Sequence, residues 1–352
     1  MSRYAEWSKR TAPMVVPPPG RAERRDHVAT DRPSAQQLAG RRESSPVVLQ
    51  RQVSIELRQM RVDAALERRD LVTALACSPS KIHMLETAER RPTYGDLQTW
   101  TATCARPDRL ESLWHRTGLG KATRWYIDPK NPNLSGPQSF GRFVGLEEGA
   151  DTLRLWDPLG ITGLLQTADY AREMITVVDL DLAEAKRKRD LDLADAEHEM
   201  DLDVAVAEVE ERVQVRLRRQ EILTRPEPPR LQIVLAETPL RQLVLATDAA
   251  LARAQLRRLV DHAGNPAIDL RVLPINTRLH PGQHCPFTIM DFPIHAAADP
   301  GTVYLESLFT GDWVNDPDKI TGYRRVFDVL VDLALTPQAS VEYLRGLIRE
   351  VD

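Results

Sequence analysis

The chain has 352 residues, a net charge of −4 and ordinary proportions of apolar and charged side chains, so it is long enough to bury a sizeable core and most of it is expected to fold. That acidic balance excludes a general coat of positive potential, and any contact with nucleic acid has to be local. Cys77, Cys104 and Cys285 lack framework spacing. With no apolar run of about 18 residues and no leader pattern, they point to a cytoplasmic protein without membrane contact.

Residues 1–50 carry PPPG, scattered arginines and the run DRPSAQQLAGRRESSP, with little apolar periodicity. They are expected to form a disordered basic, Pro-rich arm, either solvated or resting on phosphates. Over residues 51–120 the pattern changes to closely spaced short helices. Ile55, Leu57, Met60 and Val62 recur among polar neighbours in 53–64, and Leu71, Val72 and Leu75 in 68–75. The stretch SPSKIHMLETAERRPT follows at 78–93. Thr93 and Asp96 make a capping-box pattern ahead of a helix with Leu97 and Trp100. A fifth helix near 107–114 completes a compact all-α module.

Residues 121–145 contain DPKNPNLSGPQSFG and are expected to be a linker. From 146 to 352 helical and strand patterns mix, which gives an α/β or α+β domain. LQIVLAE, IDLRVLP, FTIMDF and TVYLES read as strands. Helices are expected over 166–177, 249–263, 317–335 behind an Asp316 cap, and 337–351 behind Thr336. Within 178–224 the units VDLDLAEAKRK, RDLDLADAEHE and MDLDVAVAEVE repeat without gaps at a period of 11. Three helical turns hold almost that number, so Leu180, Leu191 and Leu202 fall on nearly one line. A continuous helix there would be roughly 65–70 Å long, either pairing with another chain or protruding as a solvated arm.

Taken as a helix-turn-helix, 78–93 begins with Ser78 as N-cap and Pro79 at the first helical position. Ile82 and Leu85 then face the core with Leu71 and Leu75, leaving Pro79, Ser80, Lys81, His83 and Met84 outward. In this motif the second helix lies in the major groove. Ser80 and His83 offer hydrogen bonds, Lys81 reaches a guanine edge or a phosphate, and Met84 packs on a thymine methyl. Arg68, Arg90 and Arg91 are placed to meet phosphates. Residues 50–121 hold 12 basic and 9 acidic side chains, a net +3, so binding to double-stranded DNA should be modest and salt-dependent. A homodimer would be needed for useful specificity.

The segment LERRDLVTALACSPSKIHMLETAERRPT resembles the Xre-type, lambda-repressor-like helix-turn-helix at Leu66, Leu71, Leu75, Ser78, Ser80, Ile82, Glu86, Arg90 and Pro92. Ala76 and Ala88 stand where that pattern has glycines, and Arg68 where it has glutamine. VGLEEGADTLRLWDPLGITGLLQTADYAREMI and the segments after it are similar to the antitoxin-like Xre regulators of actinobacteria, with the 11-residue repeats inserted. The resemblance implies a transcriptional regulator, often encoded beside a small partner protein, with a sensing or interaction domain at its C-terminus. A rival reading is an interaction module that sequesters a partner without binding DNA.

Thr162, Gln166 and Tyr170 around GLLQT either line a ligand pocket or pack the domain. His280, His284 and Cys285 read as a turn before a strand more readily than as a metal site, because Pro281 and Gly282 break the spacing. No phosphate loop, nucleophile elbow or His–carboxylate pair is evident, so neither an enzyme nor a cofactor is expected.

Overall fold

The computed structural model describes residues 45–119, 124–126, 140–177, 202–293, 299–307 and 311–351. Residues 1–44 of the arm expected at 1–50, most of the linker and the repeats as far as residue 201 lie outside them.

Helix α1 spans Pro46–Asp63, so it starts well before residue 53 and takes in residues assigned above to the arm. The reason is tertiary. Val48 is buried in the core of the C-terminal domain and Val47 packs against it. After α1 come α2 (Arg68–Ala74), α3 (Pro79–Glu86) and α4 (Tyr94–Thr103). The turn Pro107–Arg109 then leads into α5 (Leu110–Leu119). Leu57, Leu71, Ile82, Leu85, Leu97 and Trp100 form a closed core, and the Trp100 indole donates to the Leu57 carbonyl at 3.1 Å. The Thr93–Asp96 capping box is formed in both directions. Ala65, Ala76, Ala88 and Ala105, each just beyond a helix end, have φ of 54°, 46°, 60° and 55°, the left-handed conformation that glycine adopts most cheaply.

In the C-terminal domain α6 (Phe140–Gly149) begins inside the expected linker and leads into β1 (Thr152–Asp157). The turn Gly163–Leu165 precedes α7, residues 168–177, and α8 is Leu202–Arg219. There follow β2 (Arg230–Ala236), α9 (Glu237–Ala246), α10 (Ala249–Ala263) and β3 (Ile268–Leu273). The chain continues through β4 (Phe287–Asp291), β5 (Thr302–Glu306), β6 (Gly311–Val314), α11 (Pro317–Leu333) and α12 (Pro337–Val351).

The described strands make one mixed six-stranded sheet in the order β3-β2-β1-β4-β5-β6. The β3–β2 and β2–β1 pairs are parallel and the remaining pairs antiparallel. Both faces are covered. Leu153, Leu155, Leu231 and Ile233 meet α10 and α12 on one side; Trp156, Val234 and Ile289 meet Ile320, Phe327 and Leu330 of α11 on the other. Strands β1 and β6 and helix α9 were not anticipated. In central β1 the charged Arg154 interrupts the apolar run and finds its partner, Asp291, only across the sheet on β4. Helix α9 takes over at Glu237, the last residue of the expected strand LQIVLAE.

Two glycines on one face of α6 let α1 cross it closely. A Cβ on Gly145 would lie 2.4 Å from a Val47 methyl, and one on Gly149 2.4 Å from a Val48 methyl. A turn farther along α1, Arg51 donates to Asp299 at 3.0 and 2.9 Å, to Asn315 at 2.8 Å and to the Gly301 carbonyl at 2.5 Å. One continuous helix thus belongs to the core of both parts.

Candidate nucleic-acid interface

Helices α2 and α3 are joined by a turn in which Ala76 is left-handed and the Cys77 amide returns to the Val72 carbonyl at 3.2 Å. The Ser78 hydroxyl accepts from the Lys81 amide at 3.3 Å, the expected cap, and Pro79 opens the helix. Ile82 and Leu85 are buried, while Ser78, Pro79, Ser80 and His83 are exposed and Met84 is half-buried.

The expected cations are not all free. The Lys81 ammonium sits 2.6 Å from Asp96. Burial alone would raise the Asp96 carboxyl, but its bonds from Lys81 and Thr93 hold it below the ordinary range. Arg68 pairs with Glu86 at 2.8 Å, and Glu86 also holds Arg61 at 2.5 Å. Arg91 donates to Gln50 at 3.0 Å, and burial lowers its pKa. Arg90 is exposed, with no side-chain partner among the described residues. Of the residues singled out for base or phosphate contact, Ser80, His83 and Arg90 point outward unengaged, whereas Arg68, Lys81 and Arg91 are tied to the module itself.

Three residues outside that set hold the helix in place. Glu86 lies four residues after Ile82, on the core-facing side of α3, and a charge there requires partners; that was its signal in the sequence. Gln50 donates to the Ala88 carbonyl at 2.7 Å, and Arg142 of α6 to the Thr87 carbonyl at 3.1 Å. Carbonyls just past the C-terminus of α3, groups that a helix end leaves unpaired, are therefore satisfied by α1 and by the C-terminal domain. The Arg142 guanidinium also lies 5.3 Å over the Trp313 ring, and burial, with Arg51 nearby, brings its pKa down to about 10.

A helix-turn-helix domain model matches residues 52–114. The model described as a domain of unknown function (DUF5753) matches residues 140–200 and 192–346, more than half of the chain. The chain belongs to the DUF5753 family. No curated protein and no solved structure matches it. Among the described residues no helix is long and apolar enough to cross a membrane.

Within the DUF5753 part, Thr162, Gln166 and Tyr170 do come together, and all three are buried. The Gln166 side chain is engaged at both ends: its amide donates to the Ile161 carbonyl at 2.5 Å and its oxygen accepts from Arg216 at 2.8 Å. Gln220 donates to the carbonyls of Gly163 and Gln166, and Gln255 to that of Leu165. The GLLQT turn is held by this set of glutamines. Burial and nearby Asp157 push the Tyr170 phenol up to about 12. In the His280 loop of the same DUF5753 part, the imidazole makes an edge contact with Trp156 at 5.7 Å, and the Trp156 indole donates to the Gly282 carbonyl at 2.7 Å.

Proposed function

We propose that this DUF5753 chain is a sequence-specific, DNA-binding transcriptional regulator of the Xre, antitoxin-like type, cytoplasmic, non-enzymatic and without a cofactor, acting on double-stranded DNA as a homodimer. The observation that carries this reading is the capped helix α3, whose first turns present Ser80 and His83 to solvent with the uncommitted Arg90 close behind. In the helix-turn-helix geometry those turns meet base edges in the major groove. Arg68, Lys81 and Arg91 then act mainly by fixing the helices, Ser78 and Pro79 by starting α3, and Met84 as half-buried support. Control through the C-terminal domain, by a small protein partner or a ligand, is supported by the grip of Arg142 on the Thr87 carbonyl.

The test is retention of DNA from upstream of the protein's own coding region, over a salt series with scrambled competitor. Specific, salt-sensitive retention should weaken about tenfold in a Ser80→Ala/His83→Ala variant, and Arg90→Ala should reduce the salt slope by about one. Equal competition by the scrambled DNA would sink the reading and favour a module that only sequesters a protein partner.

A further inference from the structure

Beside the contacts that hold the end of α3 lies a cleft of about 290 Å³, near the lower end of ligand-sized pockets. Helix α1 forms one wall through Arg51, Ser54, Ile55 and Arg58; Glu86 and Thr87 at the end of α3 form a second. Pro300, Asn315 and Pro317 of the C-terminal domain close it from the other side. The cleft is therefore shared by the two parts of the molecule.

Its chemistry is uneven in an informative way. Arg51, Arg58 and Arg68 face a single lining carboxylate, Glu86. Glu86 is taken by Arg61 and Arg68, and Arg51 by Asp299 and Asn315. Arg58 remains exposed, with no partner among the described residues. On the same helix Ser54 is 1% exposed, and its hydroxyl has no hydrogen-bond partner among the described residues, an arrangement that proteins normally avoid. Ile55, Val62 and the two prolines supply apolar surface.

We propose that this cleft binds a small organic anion, a carboxylate or phosphate ester carried on an apolar body. Arg58 and the Ser54 hydroxyl receive the charged group, and Ile55, Val62 and the prolines receive the rest. On the reading of the chain as a DNA-binding regulator, the bound anion is an effector: it sits between α1 and the C-terminal domain, next to the hold on α3, and biases the pose of the reading helix. Whatever the anion does to DNA affinity, DNA does reciprocally to affinity for the anion.

The experiment is calorimetric titration of the full chain, without DNA, with phenyl phosphate, inorganic phosphate and phenol. Saturable one-to-one binding of phenyl phosphate is expected, weaker for phosphate and absent for phenol. Arg58→Ala should lower affinity about tenfold and Ser54→Ala several-fold. Both variants should melt as the parent does, since Arg58 is exposed and the Ser54 hydroxyl has no partner to lose. No saturable binding, or binding undiminished in both variants, overturns the site. If Arg58→Ala instead weakens DNA retention and its salt slope while no probe binds, Arg58 is a DNA-phosphate contact and the site is wrong. Because the titration contains no DNA, failure of the regulator reading would leave its result standing. In a second arm, phenyl phosphate is added to the DNA-retention assay. Unchanged retention at a concentration that saturates the cleft removes the effector role.

Discussion

The helical module and the sheet domain both contain buried carboxylates paired with arginine, but they seal them differently. In the module Glu86 and Glu56 each hold one mostly buried guanidinium, Arg61 and Arg116, and one that keeps a wet side: the Arg68 side chain is 47% exposed and that of Arg109 34%. In the sheet domain Glu147 and Arg219 meet twice at 2.8 Å, with side chains 1% and 7% exposed, and the guanidinium is flanked by the rings of Phe140 and Phe143. The module's pairs brace short helices whose outer faces stay in water. The domain's pair closes the joint between α6 and α8, where the Glu306 carboxylate also acts on the Arg219 charge.

The first way to break that comparison is Glu147→Ala. It takes the hydrogen-bonded partner from a guanidinium inside the domain and leaves it to the field of Glu306, and removal of one member of a buried pair costs about 3–5 kcal/mol. Denaturant melts of the full chain measure it. Glu147→Leu with Arg219→Met should recover most of the loss, because the penalty lies in the unpaired charge and not in the missing attraction. A cost below about 1 kcal/mol for Glu147→Ala, the range of exposed pairs, would place both regions in one class.

The same contrast governs how much was legible in the sequence. The middle of the module is built from local signals: the Ser78 cap, the Thr93–Asp96 box and the spacing of Ile82 and Leu85 each act within a few residues, so α2 to α4 could be read directly, whereas the start of α1, set by the C-terminal domain, could not. The sheet was half legible. Buried β2 to β5 are apolar runs, whereas β1 carries Arg154, whose neutralising Asp291 stands far away in the chain. In the candidate interface the outward positions Ser80 and His83 followed from helical spacing. The ties of Lys81 to Asp96 and of Arg91 to Gln50 did not, because spacing says which way a side chain leaves the helix and not what it meets. Arg142, inside an expected linker, had no local signal.

Glu56 sharpens the comparison through pH. Burial alone would raise its carboxyl, but hydrogen bonds and charge from Arg116 and Arg109 outweigh that and hold it below the ordinary glutamate value of 4.5. A depressed carboxylate binds fewer protons in the folded chain than in the unfolded one. Its contribution is therefore present above about pH 4.5 and is lost as pH falls through the lower folded value. Glu56→Gln should cost about 2 kcal/mol at neutral pH and flatten the acid limb of stability. An unchanged acid limb would show that Glu56 does not carry the module's acid sensitivity.

The smallest effect is a change of sign between the two regions. Ala76 and Ala88 sit at positive φ, where an L-residue loses roughly 1–2 kcal/mol. Glycine escapes that strain but gives up about 0.4–1 kcal/mol in the entropy of the unfolded chain. Each Ala→Gly change should therefore stabilise the module by about 0.5 kcal/mol. The identical change at Ala254, exposed within α10, has no strain to relieve and should destabilise by about 1 kcal/mol. Thermal melts of the three single variants read both signs against one parent. If Ala76→Gly and Ala88→Gly also destabilise, the turns flanking α3 are not strained, and the alanines there fit the motif as well as glycine would.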